Sequence, residues 1–407
     1  MQRRHFLHTS LSVLASSSLT ALQPSLARAA QPQDPAVIPP ARLQVGGRVL
    51  APILASPERI IEMNVCTRPF RPQGPRIEIE TLGRKSIVHN YGHGGSGWSL
   101  SWGSGSLAVG LAQNLGNQQI AVIGCGAIGM TTALVAQRAG LSVTIYAREL
   151  PPYVRSNFAT GAWTPDSRIC SAEYAGSFAN RWESMARYSF RHFQSLLGLP
   201  GDPIEWRDMY SLQDAPFGVS GGNDHESMEP EYPDFSRDLI ADITPAAVDI
   251  ASTDHPFPAA HVRRRPAMLF NISSYSRLLL SDFLQSGGRL VTRELKNHED
   301  FANLDEDTII NCTGYGARDL LDDDSIIPVR GQTAKLIPQP EVDWGLNYGD
   351  RRVSVYPRRD GLLVQAQADT DFNNDAENLD PQESISAVNR LAEIVAGMGN
   401  PTSVANR

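Results

Sequence analysis

A chain of 407 residues, 41% hydrophobic and 20% charged, can build one large or two medium domains and has the balance of an ordinary globular protein, not that of a disordered or membrane-embedded one. Its net charge of −8 argues against a nucleic-acid partner, which calls for a basic face. The four cysteines, Cys66, Cys125, Cys170 and Cys312, show no C-x-x-C spacing, so neither a disulfide framework nor a metal site is expected, and all four read as small core hydrophobes.

Residues 1–30 carry Arg3-Arg4, then Phe6-Leu7, a mildly apolar Ser/Ala-rich run and a small-residue exit at Ala27–Ala29. These features resemble a Tat export signal, which implies transport of an already folded protein by the Tat machinery to the periplasm. The apolar run is too short and too polar to span a bilayer. Residues 31–58, rich in Pro and Ala, read as a linker. Next, CTRPFRPQGPRIE (66–78) holds two R-P pairs, Arg68 and Arg71, on a proline-broken strand.

Two glycine-rich stretches follow. IVHNYGHGGSGWSLSWGSG (87–105) reads as a strand running straight into a helix, with Gly94, Gly95 and Gly97 allowing backbone N–H groups and a helix N-terminus to approach a flat ligand. NQQIAVIGCGAIGM and its continuation to Leu150 give the order strand, Gly124-x-Gly126-x-x-Gly129, helix, strand. In that context the motif is a dinucleotide turn: Gly124 permits the turn, Gly126 admits a pyrophosphate, and Gly129 lets the helix pack on the strand. Backbone at Ala127 and Ile128 belongs to the same cradle. The acid expected at the end of the second strand is displaced, so Arg148 or Glu149 must hold the ribose; spacing alone leaves FAD and NAD(P) both open.

The H-N-Y-G-H-G-G element, with His89, Tyr91, Gly92, Gly94, Gly95, Gly97 and Gly103, resembles the flavin-binding signature of the D-amino-acid oxidase family; Gly105 stands where that family has alanine. The likeness continues in SNFATGAWTP (156–165), VTRELKN (291–297), DTIINCTGYGAR (307–318), VRGQTAKL (329–336) and VYPRRDG (355–361). It implies an α/β fold: a doubly wound, Rossmann-like FAD-binding domain (84–200 and 266–328) and a mixed-sheet substrate domain (59–83, 201–265 and 329–398). FAD is the implied cofactor. Its pyrophosphate would lie at 124–129 and its isoalloxazine at 94–99, where Trp98 and Ser99 begin the helix, with Ser156, Thr160, Gly161, Leu295, Thr313 and Gly314 beside it. One ligand gripped at both ends is therefore the expected answer to the two glycine stretches. The R-P-x-R-P and H-N-Y-G-H-G-G segments, which close ordinary family members, here precede the dinucleotide turn, so the chain looks circularly permuted.

The resemblance further implies oxidation of an amino acid by hydride transfer from its Cα to flavin N5, with dioxygen or another electron acceptor taking the electrons, and it admits a homodimer. Arg68 matches the substrate-carboxylate arginine, a planar fork suited to two parallel hydrogen bonds. The family's clamp tyrosines are less well matched: Ser354 stands at one position, and Tyr348, on a lid, and Tyr356, on the face of Ser354, are the candidate catalytic replacements. Gln365-Ala366 replaces a glycine pair, and Thr164 and Asp166 also depart from the pattern. These changes leave open a flavin-binding module without catalysis. Arg351, in a locally basic stretch, raises the expectation of an acidic substrate side chain.

Overall fold

The computed structural model describes residues 43–218, 229–368 and 370–398, so the segment read as an export signal lies outside the described residues. The described residues open with a hairpin, β1 (Leu43–Val45) and β2 (Arg48–Leu50), turned by Gly46 and Gly47 at positive φ. Val45, Leu50 and Ile53 are buried in one apolar cluster with Tyr210, Phe257 and Trp344. The stretch expected to be a linker is therefore packed structure from residue 43 onward, because its few apolar residues find a core.

β3 (Ile60–Phe70) is followed by the hairpin of β4 (Arg76–Leu82) and β5 (Lys85–Tyr91), which leads through a glycine turn into α1 (Gly97–Gln113). The dinucleotide motif forms as expected: β6 (Gln119–Ile123), α2 (Ala127–Arg138) and β7 (Ser142–Ala147). Then come α3 (Ala175–Gln194), β8 (Ile204–Gln213), α4 (Phe235–Leu239), β9 (Val248–Ile250), β10 (His261–Phe270), α5 (Ile272–Gln285), β11 (Arg289–Thr292), β12 (Thr308–Asn311) and α6 (Ala317–Leu321). The remaining elements are β13 (Ile327–Leu336), β14 (Trp344–Tyr348), β15 (Val353–Arg358), β16 (Gly361–Ala366) and α7 (Pro381–Gly397).

Six strands form one sheet in the order β11-β7-β6-β12-β5-β4, parallel except where β4 turns back on β5. Apolar residues cover both faces, as a parallel sheet requires. On β6, Ile120 and Val122 join the helical layer, and Ala121 and Ile123 join Phe301, Leu304 and Leu320 on the other side. Eight strands form the second sheet, β3-β13-β16-β15-β14-β8-β10-β9, antiparallel apart from β14 beside β8. This is the expected pairing of a doubly wound domain with a mixed-sheet domain. One boundary moves: β4, expected with the substrate domain, pairs with β5 in the parallel sheet, since the two strands are joined by the tight turn at Gly83 (φ +61°).

Close helix packing sets the position of the first glycine turn. A Cβ on Gly103 of α1 would lie 2.3 Å from the Met185 carbonyl oxygen of α3, so only glycine allows that crossing. Beside it, Gly103 N–H donates to Ser189 Oγ at 2.8 Å, and Trp102 Nε1 donates to Tyr275 Oη at 2.7 Å. No helix among the described residues is long and apolar enough to cross a membrane.

Candidate active site

β5 and β6 flank β12 and run parallel to it, so the turns that leave their carboxyl ends open on the same edge of the sheet. That edge is where open α/β sheets bind ligands. Both turns line one cavity of about 880 Å³. Neither helix start carries an acidic residue in its first turn or a side-chain cap, which leaves N–H donors and positive dipole ends facing the cavity. Ser156 joins them: its Oγ accepts from Ala127 N–H of α2 at 3.0 Å, and its carbonyl accepts from Trp98 Nε1 of α1 at 2.7 Å.

The H-G-G turn is fixed from two sides. Gly94 N–H donates to the Pro69 carbonyl at 2.8 Å and Gly95 N–H to the Ser167 carbonyl at 2.9 Å. A Cβ at Gly94 (φ +54°) would fall 1.8 Å from the Arg168 carbonyl oxygen. Beneath it runs a buried chain of polar groups. His93 Nε2 is 2.6 Å from Ser104 Oγ, Ser104 donates to Asn90, and Asn90 donates to Thr132 Oγ1 at 3.1 Å, so β5, α1 and α2 share one network. Burial pushes the His93 imidazole down to about 3, keeping it neutral.

Gly94, Gly95, Gly97, Trp98, Gly124, Gly126, Ala127, Ile128, Arg148, Glu149, Ser156, Thr160, Leu295, Thr313 and Gly314 all line the cavity. Three expected residues lie behind it. Gly129 packs α2 on its strand, where a Cβ would be 2.0 Å from the Gly124 carbonyl oxygen. Ser99 Oγ accepts from Thr164 N–H at 2.9 Å, and the Gly161 carbonyl accepts from Phe270 N–H at 2.6 Å. These three shape the lining without forming it. Arg148 contacts Glu149 at 3.2 Å and Glu294 at 3.4 Å. Long, two-ended, with glycine at each close approach, the cavity fits FAD.

At the other side lies Arg68, as expected. Its guanidinium crosses β13 at Gly331, where a Cβ would sit 2.5 Å from Nη2, and Nη1 donates to the Arg330 carbonyl at 2.6 Å. Arg71 points elsewhere, donating to Ser325 Oγ at 2.8 Å and to the Gly74 carbonyl at 2.9 Å. Tyr356 lines the cavity with Ser354. Burial raises its phenol pKa, opposed by a hydrogen bond with Ser354 and by the Arg68 charge.

Tyr348 does not belong to the site. It is fully buried on the other face of the sheet, donating to Asp214 and to the Pro258 carbonyl. The cause is register: Asn347 pairs with Ser354 and Tyr348 with Val353, so Asn347 takes the cavity side. Arg351, exposed, is not among the cavity residues either, which removes the ground for an acidic substrate side chain. Sequence reading missed Asn347, Gln367, Thr333 and Asp371. The hairpin between Tyr348 and Val353 carries the signal that would have found Asn347.

A model of the FAD dependent oxidoreductase family matches residues 119–404. The chain belongs to that family. Its relatives include the D-amino-acid oxidase of Dictyostelium discoideum, 26% identical over 271 residues, covering 66% of this chain and 71% of that protein. Others are the D-amino-acid oxidase of Streptomyces coelicolor (29% over 215 residues; 53% and 58%) and the D-aspartate oxidase of Homo sapiens (24% over 281 residues; 64% and 72%). Among solved structures, glycine oxidase from Geobacillus kaustophilus shares the fold, with a TM-score of 0.50 at 12% identity, covering 69% of this chain and 80% of that one. As a family oxidoreductase the chain is an FAD enzyme, and the residues of the two turns are those that would hold the cofactor.

Asp371 is a titratable group of this pocket that sequence reading did not find. It lines the cavity at 7% exposure; Oδ2 accepts weakly from Ala368 N–H at 3.5 Å, and Oδ1, 4.0 Å from Arg330, has no hydrogen-bond partner among the described residues. Burial pushes its carboxyl up to about 6, against the pull of Arg68 and Arg330. Because the folded value lies above the unfolded one, the stability tied to protonated Asp371 is fully present below about pH 4 and is lost as the pH rises through 6. Asp371→Asn is therefore expected to exceed the wild-type enzyme in stability, with the gap widening by about 1 kcal/mol between pH 5 and pH 8 in urea unfolding. A gap that stays constant with pH would show that Asp371 titrates normally.

Proposed function

We propose that this enzyme oxidatively deaminates a D-amino acid, with water and dioxygen, to a 2-oxo acid, ammonia and hydrogen peroxide. The observation that carries the reading is Arg68, held over Gly331 in the same cavity as the two glycine turns. Its fork receives the substrate carboxylate, and Tyr356 adds a hydroxyl donor from β15, two strands beyond β13. Held at both points, the substrate presents its Cα–H in a fixed direction, and orientation supplies most of the acceleration. FAD held between the turns would supply the hydride acceptor, with dioxygen as the final oxidant. The names of the relatives support the D-stereochemistry.

We read the chain order as a circular permutation, supported by β3 and β5: both precede the span that the family model matches, yet they supply Arg68 and the H-G-G turn. We also propose folded export by the Tat route, supported by Arg3-Arg4 and the run after it; retention of the Arg3→Lys, Arg4→Lys variant in the cytoplasm tests it.

Under anaerobic conditions, a panel of D-amino acids is expected to bleach the holoenzyme's visible absorbance and the L-enantiomers to leave it yellow. Arg68→Leu is expected to keep its flavin and lose about a hundredfold in the second-order rate of reduction. Bleaching by L-amino acids alone, or an Arg68→Leu variant as fast as wild type, would contradict the proposal.

A further inference from the structure

Four adjacent strands each place one uncharged polar side chain in a single row beside Arg68. The registers pair Thr333 with Gln365, Gln365 with Ser354, and Ser354 with Asn347, and directly opposed residues share a face. All four line the cavity. With strands about 4.8 Å apart, the row is about 14 Å long. Arg68 lies over Gly331, two residues before Thr333 on the same strand, so the row begins beside Arg68 and runs away from it across β16 and β15 to β14.

This floor has a definite chemistry. The side-chain amides of Gln365 and Asn347 bond to no other side chain among the described residues, so each keeps a donor and an acceptor for a ligand. Ser354 between them already accepts from Gln367 Nε2 at 2.8 Å. An apolar side chain would cover the Gln365 amide and leave it unpaired once water is displaced. Neither a cationic nor an acidic side chain would find a countercharge in the row itself.

We infer that the substrates of this enzyme carry an uncharged amide or hydroxyl side chain, bound by the amides of Gln365 and Asn347; the inference rests on the amino-acid oxidation proposed above. The experiment compares second-order rates of anaerobic flavin reduction for D-asparagine and D-glutamine with those for D-leucine, which has similar bulk, and D-aspartate. The amides are expected to lead by tenfold or more, on the order of what a site loses when its hydrogen-bonding groups go unpaired. Gln365→Leu is expected to shrink the ratio of D-glutamine to D-leucine; should that variant not fold, Asn347→Leu, at an exposed position, gives the same comparison.

D-Leucine or D-aspartate reducing the wild-type flavin as fast as the amides would overturn this inference and leave D-amino-acid oxidation standing. Failure of every D-amino acid to reduce the flavin would instead overturn that reading, and the inference with it.

Discussion

Everything at this site depends on the position of β12 between β5 and β6. Three parallel strands must end on the same edge, and two of them end in glycine turns that start helices. At about 4.8 Å per strand those turns stand about 10 Å apart, with Cys312, Thr313 and Gly314 leaving β12 between them. Two N-termini of one sign at that separation suit one elongated anionic ligand better than two separate ones. Ser156 holds the pair together through Ala127 and Trp98, and the His93, Ser104, Asn90 and Thr132 chain braces them from below.

The second sheet contributes the substrate side. Its antiparallel registers bring Arg68, Tyr356 and the polar row under the same opening although they come from strands hundreds of residues apart. Chain order does not matter to this geometry. β3 and β5 arrive first in the sequence and still occupy an edge of one sheet and an inner position of the other, because strand pairing depends on apolar faces and register, not on succession.

What the sequence made legible is what local backbone chemistry encodes. Gly124, Gly126 and Gly129 announce a strand-turn-helix unit, and His89 to Gly97 announce a second; both fold as read. Of the two R-P arginines, Arg68 on β3 lines the cavity, and Arg71, one residue past the end of that strand, does not. The failures are long-range. Tyr348 looked close to Ser354 by numbering, yet the hairpin register turns it into the core and gives its place to Asn347. Asp371 returns to the cavity only because Phe372 bridges Val329 after the end of β16, a contact with no local signature. Residues 43–58 look like a linker by composition, but Val45, Leu50 and Ile53 anchor them to an apolar core.

The central claim, that both glycine turns hold a single FAD, is tested most directly by calorimetric titration of the apoprotein. One equivalent of FAD per chain is expected to bind, with ADP competing for it, and a Gly94→Ala variant is expected to lose FAD affinity while keeping most of its affinity for ADP. Two equivalents of dinucleotide per chain, or FAD and ADP bound together without competition, would contradict it.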